Sequence, residues 1–259
     1  MSSLVEEEFA PAKESISWAE DATAELCSMI DAFFKNHVAK IVVEMDPKTG
    51  ENVQKLKFLA HIPKDFRRKA TEALNNARHS FDQSVFAARN LLSTRSSKGV
   101  NFPWSRDPTD LEQLLATRGV DARLWDILRS HEPYGTSDDH PGGDDLIRTL
   151  ATVANNKHTV GLAANGHVTS TGFPNITFNS GMKFEILNPR WDPRKNEVEL
   201  VRWQGDLEMD GDYNFEFIVC LKDARLAPPV DVVYALRVFT AKSQSVHDSI
   251  KAKCLELAK

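Results

Sequence analysis

Arg78 and Asp82 stand four residues apart in a polar stripe that also holds Thr71, Asn75 and Arg89. On a helix this spacing sets the pair one turn apart on one face, within reach of an ion pair. A guanidinium held by a carboxylate has two uses. Its planar fork can clamp the phosphate oxygens of a substrate, with Arg78 acting on the ligand while Asn75 and Asp82 orient it. It can equally brace one helix against its neighbours, and the sequence leaves both open. A second candidate is Asn156-Lys157-His158 at the end of a predicted helix, where the helix dipole favours cations. An imidazole there also titrates in the range needed for general acid/base work, so His158 joins Arg78 as a catalytic candidate and Lys157 joins Asn75 and Asp82 as a binding candidate.

The loop GTSDDHPGG, with Asp138, Asp139 and His140, precedes Asp144 and Asp145 and offers oxygen and imidazole donors. Its order matches no EF-hand loop, and a solvated surface loop accounts for it, so no metal site and no cofactor is assigned. P-loop, G-x-G-x-x-G, G-x-S-x-G and H-E-x-x-H patterns are all missing. The common nucleotide hydrolases, dehydrogenases, esterases and zinc proteases lose most of their support.

The element that must carry the first stripe is Asp65 to Leu92. Phe66, Ala70, Ala73, Leu74, Ala77, Phe81, Val85, Ala88 and Leu92 recur there at steps of three and four. This is an amphipathic helix with one face in a core, and Asp65 is its expected N-cap. Before it, Ala12 to Asn36 reads as a helix opened by Pro11 after a loose start, followed by Ala39 to Met45 and Val53 to Ile62 as a hairpin across DPKTGE. After it come an apolar anchor, Asn101-Phe102-Pro103-Trp104, and short helices at Thr109 to Arg118, Asp121 to His131 and Asp145 to Asn156. From Thr159 the texture turns to β: Val160 to Ala163, Ile176 to Phe178, Lys183 to Leu187, Glu197 to Trp203, Tyr213 to Leu221 and Val230 to Phe239. A terminal helix over Ser243 to Leu257 closes the chain. The expected fold is α+β: an N-terminal helical bundle with an inserted β-hairpin over 1–158, then an antiparallel β subdomain with the terminal helix over 159–259.

A chain of 259 residues with 41% hydrophobic and 27% charged residues can bury a proper core. The net charge of −5 argues against a broad nucleic-acid surface. No apolar run approaches the roughly 20 residues needed to cross a bilayer, and no secretory signal is visible at the acidic start. Cys27, Cys220 and Cys254 form no C-x-x-C pair, which suggests reduced thiols in a cytoplasmic setting.

Four short segments carry a resemblance: NNARHSFDQS (Asn75 to Ser84), NFPW (Asn101 to Trp104), HEPY (His131 to Tyr134) and NNKH (Asn155 to His158). In order and spacing, the first 165 positions resemble a widespread family of uncharacterised bacterial proteins whose motifs read like HNLRSALDHL, FPI, QPY and DKHR. Its Arg-x4-His is similar to the signature of HEPN domains. These are helical bundles, many of them metal-independent ribonucleases of toxin–antitoxin and phage-defence systems that act as paired protomers. Here the step from Arg78 lands on Gln83, and the Asp of the family's DKH is replaced by Asn156. An amide cannot serve as an acid or base at neutral pH. The resemblance implies a degenerate, non-catalytic HEPN-like scaffold that binds a protein partner or RNA. The alternative is a ribonuclease with Arg78 and either His79 or His158 in a composite site formed by a homodimer.

Overall fold

The computed structural model describes residues 2–36, 39–92, 100–155, 161–168, 175–178, 184–186, 191–192, 195–205, 207–210, 215–223, 226 and 230–258. Its α+β architecture runs α1 (Ser2–Asn36), β1 (Ala39–Met45), β2 (Asn52–Phe58), α2 (Lys64–Leu92), α3 (Pro108–Thr117), α4 (Trp125–Ser130) and α5 (Asp145–Asn155). There follow β3 (Leu162–Val168), β4 (Asn175–Phe178), β5 (Phe184–Ile186), β6 (Trp191–Asp192), β7 (Glu197–Trp203), β8 (Leu207–Asp210), β9 (Phe215–Leu221) and α6 (Val232–Leu257).

The chain groups into two compact units: 1–27, 67–161 and 223–259 in one, 28–66 and 162–222 in the other. This replaces the linear cut expected at 158. The hairpin belongs with the β unit because β2 pairs antiparallel with β7, setting Leu56 opposite Val198 and Asn52 opposite Trp203. The terminal helix belongs with the helical unit. Such groupings rest on pairings more than a hundred residues apart, which local periodicity does not carry.

In the helical unit α2 follows its pattern closely. Phe66 lies before the unit's boundary, but Ala70, Ala73, Leu74, Ala77, Phe81, Val85 and Ala88 are all buried on one face. Two other helices are longer than their sequence reading. α1 starts near Ser2 with Pro11 inside it, because Val5 and Phe9 continue the buried row of Ala12, Ile16 and Ala19 toward the N-terminus. The start is therefore not loose, and Pro11, on the exposed side, does not open the helix. Of Val230 to Phe239, expected as a strand, Val232 to Phe239 form the first part of α6. Its β-branched residues suggest a strand, yet Val232, Leu236, Phe239, Ser243, Val246, Ile250 and Cys254 are buried at helical steps of three and four. Asp231 caps the helix by accepting from the Tyr234 N–H at 2.7 Å.

The centre of this unit is aromatic. Phe81 of α2 meets Phe102, Trp104 and Phe239 with ring centroids 5.0, 4.9 and 5.4 Å away. Rings at such separations contribute beyond the area they bury, on the order of 0.5–1.5 kcal/mol per pair.

In the β unit the main sheet has the order β1-β2-β7-β5, with β6 also on β7, while β3–β9 and β4–β8 form separate antiparallel pairs. Leu56, Phe58, Val198, Leu200, Val201 and Trp203 make its core, with Phe34 and Ala39 against it.

Candidate functional site

Arg78 and Asp82 meet as their spacing predicts. Arg78 Nη1 donates to Asp82 Oδ2 at 2.7 Å, and the two side chains are 8% and 28% exposed. The other carboxylate oxygen, Asp82 Oδ1, accepts the backbone N–H of Phe102 at 2.8 Å. The guanidinium also lies over the Trp104 ring, 5.1 Å from its centroid. One ion pair thus fastens NFPW to α2 twice, through the Phe102 backbone and through the Trp104 face. A cation this deeply buried is tolerable when an anion, a hydrogen bond and an aromatic face surround it.

HEPY joins the same layer. Ser105, directly after NFPW, donates its N–H to the Pro133 carbonyl of HEPY at 3.0 Å, with its hydroxyl at 3.4 Å from the same oxygen. The Ser105 carbonyl accepts from Arg148 Nε of α5 at 2.8 Å. Within HEPY, Glu132 takes a left-handed backbone, φ 47°. Its carboxylate accepts the Gly143 N–H at 3.1 Å and the Tyr134 hydroxyl at 3.4 Å. His131 Nε2 lies 2.7 Å from Ser249 Oγ of α6, and burial, with Lys242 a lesser cause, lowers the His131 pKa to about 4. The Ser249 hydroxyl also lies within hydrogen-bonding distance of the Ser245 and Val246 carbonyls. His131 and Ser249 therefore tie a turn to a helix.

The other sequence candidates that the structure describes do not share these bonds. Asn75 is half-buried one turn before Arg78 and takes no part in these bonds. His79 is exposed on the other side of α2. Arg89 is buried and donates from Nη1 to the Gly119 carbonyl, joining α2 to the turn after α3. Lys157 and His158 lie outside the described residues, as does Asn156. Asp144 caps α5 through the Ile147 N–H, and Asp145 accepts the Thr136 N–H, so two carboxylates of the acidic loop already have structural work. Among the described residues no group of three or more His, Cys, Asp or Glu side chains could hold a metal. No helix among them is long and apolar enough to cross a membrane.

Gln83 is half-buried, and its Oε1 is buried with no hydrogen-bond partner among the described residues. Arg78 Nε and Trp104 Nε1 share that condition, so the layer is not fully satisfied. Ser105 and Arg148 were not legible as part of it. Their bond joins a loop to a helix 43 residues away, a separation that leaves no local mark in the sequence.

Compared with protein-family models, with curated proteins and with solved structures, the chain gives no match.

Proposed function

We propose that this chain is a non-catalytic, degenerate HEPN-like scaffold of the bacterial cytoplasm that binds a protein partner or RNA. One observation carries this reading: the Arg78 guanidinium sits on the Trp104 face and on Asp82, whose second oxygen holds the Phe102 backbone. A phosphate clamp must present its fork to a substrate, and Arg78 is 8% exposed. Gln83 in place of the expected acid/base points the same way. The motif resemblance supplies the scaffold part of the proposal, and the acidic net charge is compatible with the cytoplasmic part.

The test is an RNA cleavage assay with the full chain at micromolar concentration in EDTA. The proposal predicts that labelled RNA stays intact. Cleavage that disappears in an Arg78→Met variant still folded by circular dichroism at the assay temperature would establish the ribonuclease reading instead.

A further inference from the structure

We propose that β1 is a self-recognition strand through which two copies of this chain pair antiparallel, joining their hairpins into one continuous sheet. The reasoning is independent of the Arg78 layer. β1 forms an edge of its sheet among the described residues, with β2 on one side and no strand on the other. Its sequence, AKIVVEM, holds no Pro, and its two charged residues, Lys40 and Glu44, share one face.

The strand's two faces are unlike. Ile41, Val43 and Met45 alternate along one face and are 41%, 53% and 69% exposed. Ile41 lies opposite Leu56, a residue of the sheet's core. The apolar face of the sheet therefore continues past its core onto β1 and ends there uncovered. The other face carries Lys40 and Glu44, with Glu44 already paired to Lys57 and Lys55 of β2.

Charge and shape select the occupant. A two-fold axis through Val42 sets Val42 opposite its own copy, Ile41 opposite Val43, Ala39 opposite Met45 and Lys40 opposite Glu44. In antiparallel strands opposed residues share a face, so both apolar rows fall on one side and both Lys–Glu pairs on the other. Moving the axis to Ile41 or to Val43 sets Lys40 or Glu44 against Val42. The strand read backwards complements itself in one register, and the two charges penalise the neighbouring ones.

The test uses the full chain. Sedimentation should show a dimer, and Lys40→Glu, which faces Glu44 with a like charge, should raise its dissociation constant on the order of tenfold. The fold should tolerate this change, because Lys40 is exposed and lies opposite Lys57 in the hairpin. Register is read by cysteine cross-linking with Cys27 replaced by Ser, Cys220 and Cys254 being buried. Val42→Cys should form a covalent dimer under mild oxidation. Ile41→Cys mixed with Val43→Cys should cross-link faster than Ile41→Cys alone, whose sulfurs lie on a diagonal. A monomer at 100-fold variation of concentration around micromolar, a dimer indifferent to Lys40→Glu, or cross-links favouring another register would each overturn the proposal.

Discussion

Removing the Asp82 carboxylate should hurt more than removing the Arg78 charge. Asp82→Ala leaves a guanidinium that is 8% exposed without its anion and takes the acceptor from the Phe102 N–H. Breaking a buried pair from one side costs about 3–5 kcal/mol. The orphaned amide adds about 1–3 kcal/mol, but Asp82 is itself 28% exposed, so water can enter and screen both losses. The expected total is about 3–5 kcal/mol. Arg78→Met keeps an aliphatic side chain beside Trp104 and leaves a carboxylate that reaches solvent and still holds Phe102. About 1–2 kcal/mol is expected there, from lost cation–π and ion-pair energy. The double variant should cost less than the sum, because after Arg78→Met no buried cation is left for the Asp82 change to orphan. Urea unfolding of the four proteins measures all three quantities. An Arg78→Met cost equal to or above that of Asp82→Ala, or strict additivity, would refute the brace.

Other consequences follow from the same geometry. Gly119 has φ +67°, and a Cβ there would stand 2.5 Å from Arg89 Nη1. Gly119→Ala should therefore lower stability by about 1–3 kcal/mol, read by thermal melting. Asp231→Ala should cost about 1 kcal/mol and fray the helix at Val232, visible as faster amide exchange at Tyr234. Burial lowers the pKa of both His131 and His247 in the fold. An unfolded imidazole binds its proton near pH 6.5, whereas His131 resists protonation until about 4. Stability contributed by the neutral form is thus complete above pH 6.5 and drains away as pH falls toward 4. With His131 only half-buried, a loss on the order of 1–3 kcal/mol is expected over that window. His131→Gln should flatten the slope in unfolding titrations, and an unchanged slope would assign the acid lability elsewhere.

What the sequence made legible was local. The apolar face of α2, the Arg78–Asp82 spacing and the hairpin all follow from steps of two, three or four residues, and all stand in the structure. Two kinds of information lay beyond that reach. Where propensity and periodicity disagree, as over Val232 to Phe239, β-branched residues mask a helical row whose partners include Phe81. Long-range bonds leave no local mark either. Asp82 holding Phe102 spans 20 residues, Ser105 holding Pro133 spans 28, and β2 pairing with β7 joins Leu56 to Val198. Arg78 and Asp82, read as part of a possible site, are residues that hold the NFPW loop to α2. A buried ion pair and a catalytic one look alike in a string of letters. They part only when burial and the second carboxylate oxygen are known.

Amide hydrogen exchange at Phe102 tests that brace most directly. With its N–H bound to Asp82 Oδ1, Phe102 should exchange slowly in the wild-type chain and rapidly in Asp82→Ala, while the α2 amides around Ala77 stay protected in the wild type. A Phe102 amide that exchanges freely in the wild type beside a protected α2 would contradict the account.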